Sequence, residues 1–151
     1  MLFRSIEVNL FYRTVKRERL IASFLKKAGA KRVYGLSKRH RIPGLSSERA
    51  NVDDALWGAD VVLVSLEDGD RTGALKRTGK RVVAVDLNPL SRTAQEADVT
   101  VVDNIVRAFP NMIAFAKDLS GVGRLKLTRI CEGFNNKKNL SGVISKIRGG
   151  F

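Results

Sequence analysis

Residues 81–93 read RVVAVDLNPLSRT. The first half, with Val82, Val83, Ala84 and Val85 in succession, is an apolar run rich in β-branched residues. Such a run fits a strand covered on both faces, as strands of a parallel sheet are. The chain then turns polar at once, through Asp86, Asn88, Pro89, Ser91, Arg92 and Thr93. Open α/β sheets bind ligands in the crevice beyond the carboxyl ends of their strands. A strand that ends in an acid, an amide and a guanidinium therefore carries its chemistry where a ligand would sit.

The pattern recurs outward from this stretch. Runs at 6–12 (IEVNLFY), 32–36 (RVYGL), 60–66 (DVVLVSL) and 99–103 (VTVVD) predict further strands. Helical spacing predicts a helix over 14–28, with Val15, Leu20, Ile21, Phe24 and Leu25 on one stripe and Gly29 as its stop. A short helix is predicted over 70–78, with Asp70 as N-cap and Gly79 closing it. Another is predicted over 105–119, capped by Asp103 or Asn104, where Pro110 implies a kink or a late start. Helices over 125–132 and 140–147 follow, with loops at 120–123 and 132–139. Pro89 suits the first position of a helix. Strands alternating with helices in this way predict an α/β fold: a Rossmann-like parallel sheet with helices on both faces and a C-terminal helical extension. The 151 residues fit a single domain, 1–151.

Composition narrows the function. The single cysteine, Cys131, allows no intrachain disulfide and reads as a reduced thiol. One cysteine and one histidine argue against a His/Cys metal site. No apolar run approaches the ~20 residues that span a bilayer. The N-terminal segment has none of the features of a signal peptide, so a cytoplasmic location is expected. The net charge of +13 is unevenly spread, with +10 over residues 1–49, −4 over 50–104 and +7 over 105–151. Basic surfaces attract nucleic acid, anionic membrane or small polyanions such as nucleotides; solvated Lys and Arg on helix faces are the plainer explanation.

Three strand ends carry unusual polar groups: 67–72 (EDGDRT), 86–93 (DLNPLSRT) and Asp103 with Asn104. Parallel strands would bring all three to one edge of the sheet. There Asp86 and Asn88 could read ribose hydroxyls or a base edge, Arg92 could hold phosphate oxygens, and Thr93 could add to an anion site. Glu67, Asp68 and Asp70 could position Mg²⁺ or a cationic amine. Asp70 and Asp103 also suit plain helix caps, and Arg92 a surface ion pair. The sequence contains no G-x-G-x-x-G after a strand, no G-x-x-x-x-G-K-[ST] loop and no G-x-S-x-G elbow.

Several strings resemble one family: VNLFYRT (8–14), RIPGL with Glu48 and Arg49, ADVVLVSLEDGDRT (59–72), DLNPLSRTA (86–94) and VTVVDNIVRAFPNMI (99–113). Together they resemble archaeal phosphopantothenate synthetase, also called 4-phosphopantoate–β-alanine ligase, from Ile6 onward. GFNNKKNL (133–140) is similar to the family's C-terminal end more loosely. The resemblance implies a homodimeric, Rossmann-type enzyme of coenzyme A biosynthesis. It would join 4-phosphopantoate to β-alanine with ATP and Mg²⁺, releasing AMP and diphosphate. Adenylation of the carboxylate would precede displacement of AMP by the amine. The implied ATP contacts are Asp86, Leu87, Asn88, Arg92, Thr93, Asn104 and Ile105. The alternative is a non-catalytic basic module that binds nucleotide or nucleic acid. Most aromatics fall in strand or helix stripes that read as core, which disfavours single-strand binding and makes a nucleic-acid partner the lesser expectation.

The resemblance starts partway into the family's pattern. Family members carry an N-terminal helical part, a first parallel strand with a Gly- and Asn-containing turn, and arginines that contact ATP. The expectation is an N-terminally truncated chain, with neighbouring strand edges exposed, that is inactive or needs a partner fragment.

Overall fold

The computed structural model describes residues 5–65 and 67–150, with α/β architecture throughout. The best-formed sheet has three parallel strands in the order β5 (Val61–Ser65), β6 (Arg81–Val85) and β7 (Val99–Val101). Register pairs Ser65 with Val85 and Val85 with Val101, so the three carboxyl ends are level. Val82, Ala84 and Val85 are buried, as the apolar run predicts. Helices α3 (Gly69–Arg77) and α4 (Arg92–Glu96) pack on β6, and the C-terminal helix α7 (Asn136–Gly149) packs on β7 and α4. Leu75, Ile42, Val52 and Leu56 complete one small core with the sheet.

The five predicted strands do not form a single sheet. β1 (Ile6–Glu7) pairs in parallel with β2 (Val33–Tyr34) across α1 (Val15–Lys27), as a separate two-stranded piece. Gly35 is essential there. Its φ is +104°, and a Cβ would lie 2.1 Å from the carbonyl oxygen of Val8. An unforeseen antiparallel pair, β3 (His40–Arg41) with β4 (Asn51–Val52), follows, and then one turn of helix, α2 (Asp54–Trp57). All strands are shorter than predicted, and the Leu66 of the predicted 60–66 strand lies outside the described residues.

Other expectations shift for local reasons. The cap of α3 is Asp68, not Asp70: its Oδ1 accepts from the backbone N–H of Asp70 (2.9 Å) and Arg71 (3.4 Å). Asn104, rather than Asp103, caps α5 (Ile105–Asp118). Pro110 sits inside α5, so the helix does not start late. The ring leaves the carbonyl of Val106 without its helical donor, on a residue open to water. Pro89 does not start α4. It lies in a turn closed by the Ser91 N–H donating to the Asn88 carbonyl (3.1 Å), and Ser91 caps the helix. α6 (Arg124–Glu132) matches its prediction to within a residue. α7 begins at Asn136, within the predicted 132–139 loop, because Asn135 caps it.

The largest departure is in what is buried. The predicted stripe of α1 is largely open: Leu20 is 60% and Phe24 71% exposed, Val15 is exposed too, and only Ile21 and Leu25 are half-buried. The buried residues of α1 are Glu18 and Ala22. Phe11, Tyr12, Trp57, Phe115 and Phe134 are also exposed, so most described aromatics are not core.

Candidate functional site

Level carboxyl ends bring the β5 and β6 clusters together. The Arg92 guanidinium donates to both Asp70 carboxylate oxygens, at 2.8 and 3.3 Å. The Thr93 hydroxyl donates to the Glu67 carbonyl at 2.7 Å. Between them Gly69 lies against the Arg92 backbone, with room for no side chain: a Cβ there would meet Arg92 Cβ at 2.3 Å. Arg92 and Asp70 are open to solvent, whereas Thr93 is buried. The Thr93 hydroxyl is therefore engaged within the protein.

The 86–93 loop holds its own shape. Asp86 accepts from the Asn88 N–H (2.9 Å) and the Ser91 hydroxyl (2.5 Å), and Asn88 Oδ1 accepts from the Leu90 N–H (2.9 Å). This leaves the Leu87 side chain and the Asn88 amide N–H₂ facing water. At β7, Asn104 Oδ1 accepts from the Val106 N–H (2.9 Å), and Ile105 opens α5. Asn104 and Ile105 share the sheet edge, but their described bonds are local. Beside them Arg107 bonds Asp103 at 2.8 Å and holds its carboxyl below the usual carboxylate range.

The three acids of 67–70 are not alike. Glu67 is nearly buried and accepts from Arg49 and, at 2.9 Å, from Arg71. Asp68 caps α3 and faces Arg49 at 3.5 Å. Among the described residues no group of three or more metal-ligating side chains could hold an ion. Mg²⁺ usually takes one or two carboxylates plus substrate phosphates. Asp68 and Asp70 are open enough for that pattern, at 42% and 67% side-chain exposure, though Asp68 is paired with Arg49 and Asp70 with Arg92; Glu67, at 7% and held by two guanidiniums, is not.

Sequence reasoning missed a cluster of arginines at the ends of β1 and β5. Arg13 bonds Glu18 (2.8 Å) and donates to the carbonyls of Glu48 (3.0 Å) and Asn51 (2.8 Å). Arg49 bridges Glu67 and Asp68 and lies 5.9 Å from the Phe11 ring centroid. Burial lowers the Arg71 pKa to about 10, with help from the like charge of Arg13 and against the pull of Glu7. Burial also lowers that of Arg49, together with the charge of Arg71. Arg13 Nη2, Arg49 Nε and Arg71 Nε are buried donors with no hydrogen-bond partner among the described residues. The one signal in the sequence was that Arg13 and Arg49 fall inside the family-like strings 8–14 and 41–49. Nearby, Phe11, Ser46, Ser47, Asp68, Asp70 and Arg77 line a mostly polar pocket of about 390 Å³.

Fold and site together define a Rossmann-like α/β protein whose polar groups gather at the carboxyl ends of parallel strands. The model of the phosphopantothenate/pantothenate synthetase family matches residues 2–150. The chain is 52% identical to a 4-phosphopantoate–β-alanine ligase of Thermococcus kodakarensis and 42% identical to one of Methanosarcina mazei, each over 95% of its length. It belongs to this family. It spans about 56% of the length of each of those two relatives.

Proposed function

We propose that this chain carries the nucleotide-binding side of an ATP-dependent ligase that joins 4-phosphopantoate to β-alanine in the cytoplasm, on the way to coenzyme A. The observation that carries the reading is the junction of Arg92 with Asp70 and Thr93 with Glu67 at one sheet edge, in a chain of this family. Arg92 takes phosphate oxygens of ATP, and Asp86, Leu87 and Asn88 shape the loop that holds its adenosine. Thr93 fixes that loop to the end of β5. Asn104 and Ile105 supply the edge beside β7. Asp68 and Asp70 would hold Mg²⁺ together with the phosphates, and the metal would offset the phosphates' negative charge. The protein's main task is to align three charged reactants. A homodimer is part of the proposal, supported by the exposed Val106, Ile113 and Phe115 of α5.

Calorimetric titration with ATP and Mg²⁺ tests it. Arg92→Ala should weaken binding by roughly 10- to 150-fold, the loss of one charge-assisted contact worth about 1.5–3 kcal/mol. Equal affinity would remove Arg92 from the site. AMP release that requires both 4-phosphopantoate and β-alanine would establish the ligase reading. Polynucleotide binding that falls steeply with salt, without such AMP release, would replace it by the non-catalytic module.

A further inference from the structure

The hydroxyl of Ser91 is engaged both as donor and as acceptor. It donates to Asp86 Oδ2 (2.5 Å) and accepts from the Ala94 N–H (2.9 Å). A hydroxyl has a single proton. The Ala94 N–H holds the oxygen from the helix side, so that proton is aimed at the carboxylate. Asp86 is fixed elsewhere as well. Its backbone N–H donates to the Val101 carbonyl (3.1 Å), continuing the β6–β7 ladder, and its Oδ1 accepts from the Asn88 N–H (2.9 Å). Pro89, between Asn88 and Ser91 in the turn, is buried. The carboxylate at the end of β6 is therefore held at both oxygens and has little rotation left.

What stays open on Asp86 has a definite shape. An ionised carboxylate only accepts, through about four lone-pair sites on its two oxygens. The protein occupies one site on each oxygen, which leaves one on each for a ligand. Asp86 is half-buried and forms no ion pair among the described residues, in a chain of net charge +13. Two adjacent acceptors with no cation between them suit a pair of neutral donors. The vicinal hydroxyls of a ribose are such a pair, and an acid reads the ribose in dinucleotide-binding sheets of parallel strands.

We propose that Ser91 is the positioning residue that makes the nucleotide site selective for ribose. It holds the Asp86 carboxylate with one acceptor on each oxygen turned to the 2′- and 3′-hydroxyls of ATP. This role rests on the reading of 86–93 as the nucleotide loop, and adds the sugar as the part of the nucleotide that Ser91 governs. Ser91 acts through Asp86. Without its proton the carboxylate is held at Oδ1 alone and turns, and the loss falls on nucleotides that have a 2′-hydroxyl to present.

Calorimetric titration of the chain with ATP and with 2′-deoxyATP, each with Mg²⁺, tests this without requiring turnover. Wild type should bind ATP roughly 10- to 150-fold more tightly than 2′-deoxyATP, the worth of one hydrogen bond to a charged group. Ser91→Ala should cut that ratio by about fivefold or more, through weaker binding of ATP. Ser91→Gly should do the same with the circular dichroism spectrum unchanged, because glycine is nearly as good a helix cap as serine. Ser91→Thr keeps the hydroxyl and should keep the ratio. Wild type that binds ATP without distinguishing the two sugars would overturn the proposal. So would Ala and Gly variants that lose both nucleotides in equal proportion, which would make Ser91 a helix cap and nothing more, or a Thr variant that behaves like them. Wild type that binds neither nucleotide would overturn the nucleotide loop itself, and the role of Ser91 with it.

Discussion

Two glycines one turn apart in α3 should respond to alanine with opposite signs. At Gly69 the new Cβ would sit 2.3 Å from Arg92 Cβ, 3.1 Å from its carbonyl carbon and 3.2 Å from its Cα. These are backbone and near-backbone atoms, so relief requires α3 and the 86–93 loop to move apart. Overpacking of this kind costs about 1–3 kcal/mol; a small gain in helix propensity at the first position offsets little of it. At Gly73 the nearest atoms are Arg77 Nη1 at 3.4 Å and Glu96 Oε2 at 3.6 Å, the movable ends of long side chains. There Gly→Ala should stabilise by about 0.5–1 kcal/mol through the unfolded chain and helix propensity. For a chain of this size each kcal/mol shifts Tm by about 2–4 °C. Thermal unfolding should place Gly69→Ala below wild type and Gly73→Ala above it. Separation of the loop from α3 should also weaken ATP binding for Gly69→Ala alone. Equal or raised stability for Gly69→Ala would refute the contact between α3 and the Arg92 loop, and with it the joining of the two clusters.

Four further outcomes follow from the same geometry. Glu67→Ala takes from buried Arg71 its bonded carboxylate and leaves Arg49 only Asp68, at 3.5 Å, and should cost about 3–5 kcal/mol in chemical denaturation. Arg92→Ala breaks a solvent-exposed pair and should change stability by at most about 1 kcal/mol, so any lost ATP affinity reflects binding. Asn136→Ala removes donors to Ala94 O (2.9 Å) and Ala97 O (3.0 Å) and the acceptor for Thr100 N–H (2.9 Å); a loss of about 1–3 kcal/mol should be measured. Burial alone would raise the pKa of Asp53, but backbone hydrogen bonds from Asp54, Gly35 and Ser37 outweigh it and lower the pKa from its ordinary 3.8. A carboxylate so lowered contributes stability above 3.8 that fades as pH falls through its folded value. Asp53→Asn should therefore flatten the acid limb of a stability–pH curve below about pH 4.

How much of this was legible differs from residue to residue. VVLVS and RVVAV could be read because each is a short, valine-rich run, the pattern of a strand in a parallel sheet. β3 and β4 escaped because each is two residues long and built on His40, Arg41 and Asn51, which carry no strand pattern. In DGDR both acids can cap a helix, and only the extended backbone of Asp68 (φ −95°, ψ 142°) decides for it. The arginine cluster was hidden by distance along the chain: residue 13 pairs with 18, but 49 reaches 67 and 68, and a linear pattern does not encode that meeting. The apolar residues of α1 were no guide to its buried face: Val15, Leu20 and Phe24 are exposed, while Ala22 and Glu18, bonded to Arg13, are buried.

The amide of Asn136 has a consequence for how the C-terminal third comes apart. It rivets α7 to the last strand of the main sheet, while α6, just upstream, has no buried residue. A protease should nick the chain in the 119–133 stretch first, and the severed terminal helix should stay aboard, co-eluting with the rest until the sheet itself melts.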